Sequence, residues 1–419
     1  MRTETGGQGA ATGRDAGIPG SFRVLWVAST LSTLGDGIRT VAFPLLAAGI
    51  TKDPQAVSFI FVAGYLPWPL FGLVGGAIVD RTDRRRLMWT TDLVRGVLIG
   101  GFAVLVSAQE SPVLLLALVS FSLGVAETLF DNAASAMVPM LVRGPALERA
   151  NAWLFSSQTV MTTLLGAPVG AALFAVSHAL PIAVDAVTFI LAALLVFFLK
   201  GTYRVRVPTA RTSLRQDIGE GLRWLLRHRL LRTLCVLVGL TNAALAAAEA
   251  VLVLYTLDVL GVGNLGYSLL LAVLAVGGVV GSALASTVRR RLSTGTVLIG
   301  AMLAQAVAFA APGVFPNVPV VVIALALAGA GGGVWNVVTV SLRQSLVPAE
   351  MLGRVTSGYR TVAFSAMPVG AALGGFTADH FGLRSPFVIS GALLLVATVL
   401  CRPRMRAMTL EVERKEASE

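Results

Sequence analysis

Charge is scarce in this chain. Asp, Glu, Lys and Arg make up 13% of its 419 residues, about half the share usual in soluble domains. So few charges could not cover a large water-facing core, which argues against an ordinary cytosolic enzyme. Cysteine is scarcer. Cys235 and Cys401 lie in apolar stretches without the spacing of a metal site or redox pair, so a disulfide scaffold is excluded and both read as packing residues. The histidines, His178, His228 and His380, fall in loops or at helix ends, and no His-Glu-x-x-His occurs. No catalytic set, metal site or cofactor motif is visible, and the sequence points away from an enzyme. None of Lys52, Lys200 and Lys415 stands in a G-x-x-x-x-G-K-[ST] loop, so ATP is not the expected energy source. Amphipathic strand patterns of about ten residues do not recur, which removes a lipid-facing β-barrel. The opening stretch, Met1 to Gly20, is polar and glycine-rich, unlike a signal peptide.

Apolar residues are abundant, at 55%, and mean hydropathy is +0.79. The matching solvent is lipid. A dozen spanning helices of about 20 residues would use about 240 residues and leave the rest for loops and tails. Apolar runs lie near 22–49, 55–79, 87–108, 112–135, 153–177 and 181–199, then near 233–257, 265–287, 294–314, 318–341, 358–379 and 385–401. The expected fold is all-α: twelve transmembrane helices in two six-helix pseudo-repeats. The expected organisation is an N-terminal tail over 1–21, a bundle over 22–199, a linker over 200–232, a second bundle over 233–401 and a tail over 402–419.

Net charge is +11, and its placement assigns it to topology rather than to nucleic acid. With both termini inside a cell membrane, one side gathers Arg2, Arg14, Arg23, Arg81, Arg84 to Arg86, Arg143, Arg149, Lys200 and the linker arginines, Arg289 to Arg291, Arg343, Arg354, Arg360 and Arg402 onward. The other side holds Lys52 and Arg384. That asymmetry is the positive-inside rule, reinforced by anionic lipid. In the linker, Leu214, Ile218, Leu222, Leu225 and Leu226 recur at helical spacing opposite Arg215, Asp217, Glu220, Arg223 and Arg227, which reads as an amphipathic helix on the inner leaflet.

The halves repeat at an offset of about 205 residues. Gly72, Gly76 and Arg84-Arg85-Arg86-Leu87 match Gly277, Gly281 and Arg289-Arg290-Arg291-Leu292. Pro168-Val-Gly-Ala-Ala-Leu173 recurs as Pro368-Val-Gly-Ala-Ala-Leu373, and Leu147/Arg149 as Leu352/Arg354. Paired repeats of this kind build secondary transporters, with the substrate site at their interface near the midplane.

Gly76-Ala-Ile-Val-Asp80-Arg81-Thr82-Asp83-Arg84-Arg85-Arg86 resembles the helix 2–3 signature of the major facilitator superfamily, with Asp83 replacing a usual glycine. Together with Leu34-Gly-Asp-Gly-Ile38, Phe43-Pro44, Val138-Pro139 through Asn151, and Asp185-Ala-Val-Thr-Phe189, it is similar to the branch of drug:proton antiporters that holds macrolide-efflux proteins and the enterobactin exporter. The resemblance covers about residues 20–401. Gly166-Ala167-Pro168-Val169-Gly170 resembles the antiporter signature of helix 5, with Ala167 in place of a usual glycine. The arginine that many drug antiporters carry in helix 4 is missing between Pro112 and Met140, so its binding role does not carry over. The resemblance implies a cytoplasmic gate of Gly76, Asp80, Arg81, Arg84 and Arg85, with Asp80 facing the start of helix 11.

Each intramembrane charge needs a reason, because a charge at the bilayer centre costs about 2.5–3.5 kcal/mol on insertion scales. Asp36 lies about 21 Å into helix 1 with Arg39 one turn on, and Glu249 about 24 Å into helix 7. Glu127 and Asp131 share a face of helix 4. These five are the candidates for proton coupling or substrate binding. Asp92 and Arg95, about 8–12 Å from the cytoplasmic end of helix 3, read as a pair belonging to the gate. Asp185, near the outer end of helix 6, reads as structural. Gly166, Pro168, Gly170, Pro368 and Gly370 are expected to kink helices and let them approach closely, as are Gly72, Gly75 and the Gly329–Gly333 run. Tyr65, Trp68, Phe71, Trp335 and Asn336 are candidates to line an apolar cavity. The expected function is proton-coupled efflux of a hydrophobic or amphipathic small molecule such as a drug, antibiotic or siderophore. The expected protein is monomeric in a lipid bilayer, with small-molecule substrate and protons as its partners. The competing expectation is a nutrient uniporter or importer of the same superfamily.

Overall fold

The structure, a computed structural model, describes residues 19–109, 112–142, 146–201, 203 and 214–416. Among these, every regular element is helical. The first half comprises α1 (Gly20–Ile50), α2 (Pro54–Tyr65), α3 (Pro67–Arg81), α4 (Arg84–Ser107), α5 (Val113–Leu141), α6 (Ala146–Thr159), α7 (Ala167–Val176) and α8 (Leu180–Phe197). After α9 (Leu214–Arg227), the second half comprises α10 (Arg229–Leu254), α11 (Gly263–Arg291), α12 (Thr294–Val314), α13 (Val318–Leu346), α14 (Ala349–Phe381) and α15 (Ser385–Glu416). Eleven helical stretches among the described residues are long and apolar enough to cross a membrane. The remaining one, α1, has the length at 31 residues, but Asp36 and Arg39 dilute its hydropathy. The last helix continues past Pro403 to Glu416, through much of the segment expected to be a tail.

Two spans are assembled from pieces. Pro67 and Pro69 withhold backbone donors, and α2 gives way to α3 at Leu66. Between α6 and α7, Val160–Gly166 widens into i→i+5 hydrogen bonding just before Pro168. The wider turn accommodates Pro168, whose ring and missing N–H would disturb a regular α-turn. Its repeat partner Pro368 lies inside the unbroken α14.

Side chains cap the turns. Asp53 accepts from the Gln55 backbone N–H at 2.8 Å to start α2. Asp83 caps α4 through the Arg86 N–H at 3.1 Å and takes the Tyr203 N–H on its other oxygen at 3.2 Å. A glycine there could do neither, so Asp83 ties the α3–α4 turn to the chain beyond α8. The matched arginine triplets occupy opposite sides of their turns: Arg84 to Arg86 open α4, whereas Arg289 to Arg291 close α11.

Glycines set the closest helix approaches. A Cβ on Gly166 or Gly170 would overlap the α1 backbone at Gly37 and Ile38, and one on Gly370 or Gly374 the α10 backbone at Ala243 and Ala247. The recurring Pro-Val-Gly-Ala-Ala phrase thus performs the same packing in each half. Gly277 and Gly281 on α11 likewise leave no room against Ala326 and Ala330 of α13. A Cβ on Gly72, however, would meet nothing within 4 Å. Gly76 and the side chain of Asp80 lie outside the described residues. Gly370→Leu is expected to force α14 off α10 and lower the melting temperature of the purified protein, overpacking costing about 1–3 kcal/mol or more. Gly101→Ala, at a glycine with nothing within 4 Å, should melt like the parent, and equal melting of the two variants would refute this packing account.

The connections α3–α4, α5–α6, α8–α9, α11–α12 and α13–α14 share one end of the bundle, the basic end. The halves meet at the opposite end, mainly α2 on α14. There Gln55 donates to Asp379 at 2.8 Å, Lys52 pairs with Asp258 at 2.9 Å, and Gly375 packs on Ser58. Deeper, Trp68 stacks on Phe364 with centroids 5.2 Å apart. At the basic end Arg84 donates to the Ala136 carbonyl at 2.9 Å, and Arg85 to the Phe197 carbonyl at 2.6 Å and the Gly201 carbonyl at 3.3 Å.

Candidate functional site

The site begins with Leu34-Gly-Asp-Gly-Ile38 on α1. The glycines flanking Asp36 remove bulk on two sides. A Cβ on Gly35 would strike Asp185 and Thr188 of α8, and one on Gly37 the backbone of Thr162. Two short phrases far apart in sequence, around Asp36 and around Asp185, are therefore in direct contact.

Around this approach the first half gathers its charges. Arg39 pairs with Asp36 at 2.5 Å and with Glu127 of α5 at 3.2 Å, and its Nε lies 4.0 Å from an Asp185 oxygen. Arg95 of α4, 1% exposed, pairs with the same Asp36 oxygen at 2.6 Å, with Asp92 at 3.3 Å and more loosely with Glu127 at 3.9 Å. Its guanidinium lies 4.0 Å over the Phe189 ring, a desolvated cation–π contact. Ser32 bridges Asp92 and Arg95 at 3.4 and 3.3 Å. Both oxygens of Asp185, one of Asp92 and Nε of Arg95 are buried without a hydrogen-bond partner.

Asp92 and Arg95 pair with each other, and Arg95 extends that pair to the Asp36 cluster because its side chain reaches inward from its helix. Asp185, in the second turn of α8, faces Arg39.

Asp36, Arg39, Glu127 and Asp131 line a cavity of about 660 Å³ that runs toward the basic end past Ser135 and Asn151. The opposing half contributes Arg360 from α14. On the wall Asp36, Glu127 and Asp131 face Arg39, with Arg360 across the cavity, and Asp92, Asp185 and Arg95 are buried behind them. Three guanidiniums cannot neutralise five carboxylates, so the site has capacity for protons or a cationic guest. Arg39 and Glu127 also border a second cavity of about 210 Å³, walled by Phe43, Phe61, Tyr65 and Trp68. Of the expected cavity aromatics, Tyr65 and Trp68 are placed there. Phe71 packs edge-on against Phe121, and Trp335 is buried in the core at 3% exposure. Glu249 lies outside the acidic cluster and accepts a hydrogen bond from Tyr65 at 2.7 Å. Groups of acidic, His and Cys residues arranged to hold a metal are absent among the described residues.

The sequence profile of the transmembrane secretion effector family, a branch of the major facilitator superfamily, matches residues 19–419. Macrolide efflux protein A of Streptococcus pyogenes is 22% identical over 384 residues, spanning 91% of this chain and 95% of that protein. Multidrug efflux pump Tap of Mycobacterium tuberculosis (strain ATCC 25618 / H37Rv) is 27% identical over 402 residues, spanning 93% and 94%. Among solved structures, a bacterial homologue of the human lysosomal transporter Spinster, inward-facing and unoccupied, superposes with a TM-score of 0.74 at 14% identity, over 94% of this chain and 98% of that one. An inward-facing bacterial homologue of the iron transporter ferroportin does so with a TM-score of 0.73 at 18% identity, over 92% and 98%. At such identities the likeness is one of fold.

Proposed function

Because the chain belongs to the transmembrane secretion effector family of the major facilitator superfamily, we propose that it exports a hydrophobic or amphipathic small molecule in exchange for protons, by alternating access. The observation that carries this reading is the carboxylate-rich wall of the 660 Å³ cavity. A buried surplus of acid holds protons when empty and yields them to an incoming cation, which couples the two flows. Asp36 is the hub, since its Oδ1 is shared by Arg39 and Arg95. A proton arriving on Asp36 releases both guanidiniums toward Glu127, Asp92 and Asp185. Glu127 and Asp131 meet the substrate, and the aromatic pocket takes its apolar part.

In this reading the basic end is cytoplasmic and the cavity is open to the cytoplasm. A reporter fused after Arg402 is expected to behave as cytoplasmic and one inserted at Asn317 as external; opposite labelling at either site would overturn the orientation. The function itself is tested by accumulation of labelled amphipathic drugs in cells with and without the protein. Expected is lower accumulation that an uncoupler restores. Lower accumulation that the uncoupler leaves unchanged would overturn the proton coupling, and equal accumulation with and without the protein would overturn export of the drugs tested.

A further inference from the structure

We propose that Tyr65 and Glu249 form a proton-responsive latch across the seam between the halves, distinct from the Asp36 cluster. Tyr65 is the last residue of α2 in the first half, at the break before Pro67. Glu249 belongs to α10 in the second half. Their 2.7 Å hydrogen bond is a polar link deep in the closed seam, whereas Lys52–Asp258 and Gln55–Asp379 lie at its exposed rim, where such contacts contribute little.

The surroundings of Glu249 make its charge state matter. It rises from α10 beside a cluster of Ala246, Ala250 and Ala371, against which Phe61, Val62, Tyr65 and Met367 pack. The titratable groups facing it are Tyr65 from α2 and the buried Tyr267 from α11; α14 brings Met367 and Ala371. Glu127 lies beyond Tyr65, across the smaller cavity. Arg39 of α1 lies with Glu127 on the far side of that cavity. Among the described residues no cation pairs with Glu249, so in the closed seam an ionised Glu249 relies on the Tyr65 hydroxyl. Opening the seam exchanges that one donor for water. Ionisation of Glu249 therefore favours the open seam, and a proton on it favours the closed one, because protons bind preferentially to the state that buries the group. With the basic end cytoplasmic, an assignment that rests on the proposed function, the seam is the external gate. A proton entering from outside then closes the gate behind it. This gives the second half a proton site of its own.

The test is the distance between spin labels at Phe59→Cys on α2 and Phe381→Cys on α14, in a Cys235→Ala, Cys401→Ala background. It is measured in lipid nanodiscs across a pH series with no drug and no gradient. The parent is expected to shift from short to long distances as pH rises. Glu249→Gln should stay short at every pH. Tyr65→Phe should raise the long:short ratio about tenfold at high pH, the effect of losing a hydrogen bond to a charge, and rejoin the parent at low pH. A full pH shift in Glu249→Gln, a Tyr65→Phe curve that matches the parent, or no pH shift in the parent would each overturn the latch. An intact shift alongside uncoupler-insensitive efflux would instead overturn the antiport reading and leave the latch standing.

Discussion

Arg95→Ala is expected to destabilise the protein by about 3–5 kcal/mol, the usual effect of removing one partner from a buried charge network. Arg95 is 1% exposed and Asp92 fully buried, so removing the guanidinium strips a desolvated carboxylate of its cation. Asp92 would keep only the 3.4 Å contact with Ser32, and Asp36 only Arg39. The Phe189 ring would lose its stacked cation as well. Arg95→Lys keeps the charge but not the fork that reaches Asp36 and Asp92 together, and should fall between. The decisive comparison is Arg95→Ala with and without Asp92→Asn. Removing the orphaned carboxylate should recover part of the lost melting temperature. Parent-like stability of Arg95→Ala, or a double variant worse than the single, would show that the network does not hold the first half together.

What the sequence disclosed and what it hid divide along a physical line. Lipid demands long apolar runs, so the spans and the two-half repeat are visible without coordinates. Asp36, Arg39 and Glu127 stand out because charge in such runs is costly. Counting residues along a helix, however, gives height alone. It assigned Arg95 to the α3–α4 turn because its Cα is close to that end, whereas its long side chain climbs to Asp36. It set Asp185 aside for its height on α8, without knowing which face of α1 it meets. The missing signal was present at Gly35: a glycine beside a mid-membrane acid marks a wall another helix approaches, and Asp185 and Thr188 fill that space. The partition of aromatics was hidden for a related reason, since Trp68 and Trp335 differ in which neighbour covers them rather than in local sequence.

Asp36→Asn is expected to abolish uphill, uncoupler-sensitive efflux while sparing part of the downhill exchange. One Asp36 oxygen holds both Arg39 and Arg95, so its charge determines whether those guanidiniums face it or turn to Glu127, Asp92 and Asp185. Asparagine fixes that choice, and a site that cannot alternate cannot exchange a proton for a substrate. The cavity wall keeps Glu127 and Asp131, which is why passive exchange should survive. The available drive sets the scale. A proton moving inward across about 100 mV yields roughly 2.3 kcal/mol, and half a pH unit adds roughly 0.7, together enough for about a hundredfold gradient of a neutral substrate. In vesicles loaded to measure that gradient, Asp36→Asn should bring it to about unity. Glu127→Gln weakens the contacts of Arg39 and Arg95 with one carboxylate and removes one of two acids that meet the substrate, leaving the Asp36 hub intact, and should retain a reduced gradient, as should Glu249→Gln, whose place is the seam. Full uphill efflux by Asp36→Asn, with loss in Glu127→Gln or Glu249→Gln, would move the coupling site to that residue.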